Sequence, residues 1–95
     1  MELKDAYKKK MEAQLKELSA KIDLLEAKVE SAEAGMRVKQ AEELHELRTK
    51  WRAATEKMKE LENSSGEAWD QVKETADQIW EDLKSGVSKA HDKFK

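Results

Sequence analysis

From Met11 to Met36 the apolar residues recur in alternating steps of three and four: Met11, Leu15, Leu18, Ile22, Leu25, Val29, Ala32 and Met36. That spacing sets every one of them on a single stripe of a helix, whereas a strand would need strict alternation. Written as heptads, Leu15, Ile22, Val29 and Met36 are a positions, and Met11, Leu18, Leu25 and Ala32 are d positions. A chain with such a stripe folds by laying it against another helix. Punctuation is scarce, with no proline and three glycines.

A second stripe follows in Leu44, Leu47, Trp51, Ala54, Met58 and Leu61, displaced by one residue in phase. The path Met36, Gln40, Leu44 takes two steps of four, a stutter that one unbroken helix accommodates. The alternative is a break at Gly35, since an interior glycine costs about 1 kcal/mol relative to alanine. No proline, Asn or Asp stands beside Gly35, so the reading favours one helix over residues 3–62.

The strongest loop signal is Asn63-Ser64-Ser65-Gly66. Ser64 followed by Glu67 fits the S-x-x-E capping box that opens a helix. A connection this short returns the chain antiparallel, as a helical hairpin. The second helix, expected over 65–93, carries an eleven-residue repeat. Ala68-Trp69-Asp70-Gln71-Val72-Lys73 returns as Ile79-Trp80-Glu81-Asp82-Leu83-Lys84, and degenerately as Ala90-His91-Asp92-Lys93-Phe94-Lys95. Eleven residues make three turns with almost no drift, so each copy presents the same face. Trp69, Val72, Ile79, Trp80 and Leu83 are expected to pack in the hairpin against Trp51 and Met58, and Gly86 to loosen the last turns.

Length then decides what is left bare. A second helix of about 28 residues reaches about 42 Å, enough to cover residues 34–62. The seam Met11, Leu15, Leu18, Ile22, Leu25 and Val29 stays uncovered, and a bare apolar stripe is an association site. The expected fold is therefore all-α, a single coiled-coil domain over 1–95, pairing as an antiparallel homodimer of hairpins. A three-helix bundle broken at Gly35 is the alternative. The two forms are related by exchange of a segment, with Gly35 as the hinge.

Charged residues make up 42% of the chain with a net charge of −2, and the two signs are interspersed. Nucleic-acid binding needs a basic stripe, and Lys8-Lys9-Lys10 is flanked by Asp5 and Glu12, so no nucleic-acid partner is expected. Without cysteine there is neither a disulfide nor a thiolate metal site. The amino terminus lacks the apolar run of a signal peptide, and no stretch approaches membrane-spanning length, so the cytoplasm is the expected compartment. Glu42 and His45 have the Glu-x-x-His spacing of di-iron bundles, but such sites need a second copy, and Ser88 stands three residues before His91. No cofactor, metal or catalytic residue is expected, and the chain reads as a non-enzyme.

The segments Gly66-Glu67-Ala68-Trp69-Asp70-Gln71-Val72-Lys73, Trp80-Glu81-Asp82-Leu83-Lys84 and Lys89-Ala90 resemble the C-terminal half of small bacterial and cyanobacterial coiled-coil stress-response proteins. Leu3-Lys4-Asp5-Ala6-Tyr7, Met11-Glu12-Ala13-Gln14-Leu15 and Ile22-Asp23 are similar to that family's opening helix. The resemblance implies a stress association without catalysis or cofactor, and Gly35 departs from the alanine- and charge-rich helix it would lead one to expect. The functional expectation is a non-catalytic protein acting through self-association and an unidentified protein partner. The alternative is an amphipathic surface binder of lipid or storage granules. Against it, residues 64–95 carry more acids than bases, which anionic lipid does not attract.

Overall fold

The computed structural model describes residues 3–94, which form three α-helices: α1 Leu3–Glu30, α2 Ala34–Glu62 and α3 Glu67–Lys93. No strand occurs among the described residues. The helices run up, down and up in a rod of 51 × 20 × 17 Å.

The unbroken helix expected over 3–62 is interrupted at Ser31–Glu33. Ser31 Oγ donates back to Ala27 O, and Ala32 N–H donates to Val29 O, tightening the last turn of α1. Glu33 is extended, with φ −62° and ψ 149°, and its carbonyl accepts the N–H groups of Met36 and Arg37. Glu33 and Arg37 are an acid and a base four residues apart, a spacing at which side chains pair on a helix. The Arg37 guanidinium instead donates to the carbonyls of Ala32 at 3.1 Å and Glu30 at 3.4 Å, closing the C-terminal end of α1 as a basic side chain can. Gly35 is not the bend. It is the second residue of α2 and is not among the positive-φ residues, so the hinge lies just before it.

The reason for the break is tertiary. Turning at residues 31–33 lets one chain bury Met11, Leu15, Leu18, Ile22, Leu25 and Val29 against its own α2 and α3. Each such side chain is worth about 1.5–3 kcal/mol when buried. The few helical hydrogen bonds forgone are worth about 0.5–1.5 kcal/mol each, so burial wins. The stutter left both outcomes open locally, and the long-range contacts decide. Beyond the turn the first stripe ends: Ala32 is half-buried and Met36 is exposed.

Helix α2 contributes Leu44, Leu47, Ala54, Met58 and Leu61 to the core, and α3 contributes Ala76, Trp80, Leu83, Val87, Ala90 and Phe94. Trp51, Trp69, Val72 and Ile79 pack against this core while partly exposed. The indole N–H of Trp51 donates to Leu15 O at 2.9 Å, so this side chain reaches α1 as well as the hairpin seam. Gly86 does not loosen α3, which runs on to Lys93. A β-carbon there would come within 2.9 Å of Leu47 Cδ2, so glycine permits a close approach of α3 to α2.

The turn at 63–66 differs in its capping. Ser64 Oγ donates to Glu60 O at 2.7 Å, and Asn63 Nδ2 donates to Lys59 O. Both side chains therefore close the end of α2. Gly66, at φ 59°, precedes α3, which begins without a side-chain cap. The positive φ suits glycine, and it carries the chain around before Ser64 could reach the N–H groups of α3. Acid-before-base spacings of four residues favour pairing on a helix, and Glu17–Lys21 forms such a pair at 3.4 Å. Lys50 turns instead to Asp82 on α3 at 3.3 Å.

Candidate functional site

The two ends of the α1–α3 face differ. At the end holding both N-termini, Tyr7 of α1 meets Trp69 of α3 edge to face, with ring centroids 5.9 Å apart. Tyr7 Oη donates to Asp77 Oδ1, and Lys73 Nζ donates to Asp77 Oδ2 at 3.0 Å. Lys73 Nζ also lies over the Tyr7 ring at 4.9 Å, and Lys4 Nζ over Trp69 at 5.5 Å. Burial raises the Tyr7 hydroxyl far above the ordinary phenol range, and the hydrogen bond to Asp77 and that carboxylate's charge act the same way. Burial alone would raise the Asp77 carboxyl. The hydrogen bonds from Tyr7 and Lys73, with the charges of Lys73 and Lys10, outweigh it and hold the carboxyl below its usual value. This cluster is a clasp: its polar groups satisfy one another and leave no free nucleophile.

Toward the opposite end no such clasp joins α1 to α3 among the described residues. Between them runs a half-open groove of about 1150 Å³. Its apolar lining includes Leu18, Leu24 and Leu25 of α1, Met36 of α2, and Val87 and Phe94 around α3. Leu24 is 66% exposed and Met36 49%. Among the described residues, the rim carries Lys21 and Lys28 on α1 and Lys84, His91 and Lys93 on α3, against the carboxylate of Glu33. Lys21 pairs with Glu17, and Lys93 pairs with Glu43 at 3.6 Å. Lys28 and Lys84 are in no ion pair among the described residues. Gln40 also lines the groove. It is 8% exposed and its Oε1 has no hydrogen-bond partner, an arrangement that costs about 1–3 kcal/mol.

The structure distributes the sequence-derived candidates between these regions. The six seam residues of α1 lie in the chain's own core, so they meet a second copy only if α1 swings out. The hairpin residues Met58, Trp80 and Leu83 are buried. Glu42, His45 and His91 are exposed, and among the described residues no three His, Cys, Asp or Glu side chains are grouped to hold a metal. No helix is long and apolar enough to cross a membrane among the described residues. Sequence reasoning missed the groove. Its signal was the doubled Leu24-Leu25, where the off-seam leucine widens the stripe beyond one partner helix.

No protein-family model matches the chain, and neither a curated protein nor a solved structure is similar to it.

Proposed function

We propose that the chain is a non-catalytic protein-interaction module that receives its partner at the groove between α1 and α3. The observation that carries this reading is the apolar groove itself, with Leu24 and Met36 exposed beside it. Leu24 and Met36 stand exposed over a floor formed by the buried Leu18, Leu25, Val87 and Phe94, and a rimmed apolar patch of this kind is typical of an interaction site. The resemblance of the tryptophan repeat supports adding a stress association to the proposal. A photo-crosslinking residue at Leu24, introduced in cells of the native organism, should capture a discrete protein. The same residue at the exposed Arg52 should not. Equal adducts at both positions, or none at Leu24, would count against the reading.

A second reading is self-association by exchange of α1. The backbone at 31–33 favours it, because the joint requires no positive φ and the stutter lets the same residues run on as helix. The expected antiparallel dimer is then the opened form of this bundle, pivoting at Ser31–Glu33. Light scattering across a concentration series tests it: a particle of 11 kDa at every concentration would exclude the exchange.

A further inference from the structure

We infer that the groove binds a partner's amphipathic helix whose apolar stripe is flanked by carboxylates. The inference rests on the interaction reading above and names the chemistry of the partner. The groove is elongated. On α1 it extends from Leu18 to Lys28 and on α3 from Lys84 to Lys93, spans of about 15 Å and about 13 Å at the helical rise. Such a slot between two helices accepts a third laid along them, so that the occupant completes a four-helix arrangement.

Charge specifies the occupant. Both rims are basic, and the lysines are spread along the groove rather than gathered at one end. Lys21 and Lys28 are seven residues apart, about 10 Å along α1, and Lys84 and Lys93 nine residues apart, about 13 Å along α3. A single-headed amphiphile would engage one end of such a rim. Acidic residues repeating every seven along both flanks of a helix would meet its whole length. Among the described residues Lys28 and Lys84 have no ion pair to give up. A second copy of this chain is a poor fit, because meeting groove to groove would set two basic rims against each other and its helix flanks carry mixed charge.

The test uses two labelled synthetic helices of about four turns with one leucine stripe, flanked by glutamate in one and lysine in the other, read by fluorescence anisotropy. The glutamate helix should bind saturably, one per chain, about tenfold tighter than the lysine helix at low salt, with a preference that shrinks as salt screens the rim. The double variant Lys28→Glu, Lys84→Glu should abolish or reverse that preference, and Leu24→Glu should weaken both helices. These side chains are at the surface, and circular dichroism confirms that the variants keep their helix content. Equal affinity for the two helices overturns the inference, as does a preference that survives the lysine reversal. Dodecanoate displacing the glutamate helix below its micelle concentration, at a lower concentration than the unlabelled helix needs, makes the site an amphiphile site and also overturns it. A protein captured at Leu24 together with no peptide binding removes this inference and leaves the interaction reading standing. No capture and no peptide binding removes both.

Discussion

Ala34→Pro should stabilise the three-helix arrangement and suppress the exchanged dimer proposed above. Ala34 is the first residue of α2, the helical position where proline is best tolerated, because its missing N–H has no partner inside the helix. Glu33, with ψ 149°, already has the extended backbone that a following proline demands. A proline whose geometry is met in advance stabilises by about 0.4–1 kcal/mol through the unfolded chain, or roughly 2–8 °C for a domain of this size. In the exchanged dimer residue 34 lies inside a continuous helix, where proline costs about 3 kcal/mol or more. Each dimer contains two such joints. The balance against the bundle is therefore about 7 kcal/mol per dimer, roughly five powers of ten in the association constant. Calorimetry measures the first effect and light scattering the second. Gly35→Ala is the control: Gly35 is helical in both forms, and nothing lies within 4 Å of the added β-carbon. It should raise stability by about 0.5–1 kcal/mol without changing the mass distribution. A proline variant that melts below the parent, or dimerises as readily, would refute the reasoning.

Tyr7→Phe removes the hydrogen bond to Asp77 and should cost about 1 kcal/mol near pH 7 in urea unfolding. Because the Asp77 carboxyl is held below its usual value, the clasp contributes fully above the ordinary carboxylate range and is lost as pH falls through the folded-state value; the difference between parent and variant should therefore close in acid. The raised Tyr7 hydroxyl works in the other direction: its contribution persists up to the ordinary phenol range near pH 10 and fades above it, and a difference that stayed constant across both limbs would contradict this. Gln40→Leu replaces a buried carbonyl that has no partner and should raise the urea midpoint by the equivalent of about 1–3 kcal/mol; a lower midpoint would mean that the amide is satisfied in solution.

Most of the helical architecture was legible because helical packing is written in spacing. The steps of three and four named the buried residues of α1 from Met11 to Val29, and the eleven-residue repeat named Trp80 and Leu83. The break at Ser31–Glu33 was not legible in the same way. A stutter and a turn place Met36, Gln40 and Leu44 alike, and the choice is made by contacts between residues far apart in the chain. Gly35 attracted attention as the only glycine nearby, while the residues that shape the joint are Ser31, Glu33 and Arg37. Arg37 acts on carbonyls of the preceding helix, which its spacing from Glu33 does not reveal. The clasp was hidden for a related reason. Tyr7 and Asp77 are seventy residues apart, and neither belongs to an apolar stripe. The groove was hidden because it is an absence of packing, and spacing reports only which residues can pack.

Gly86 has a consequence for how α3 finds its alignment. A helix built on an eleven-residue repeat is nearly self-similar, so sliding it along α2 by one repeat, about 16 Å, would put like residues in like places. The slid arrangement brings Thr75, eleven residues earlier, to the point where Leu47 now meets Gly86. The β-carbon of Thr75 would then come within 2.9 Å of the present position of Leu47 Cδ2, so that the Leu47 side chain must turn aside. The slid bundle therefore forfeits the present packing of Leu47 against α3. One missing methyl group thus distinguishes the native alignment from its closest imitation, and it does so by making the imitation worse.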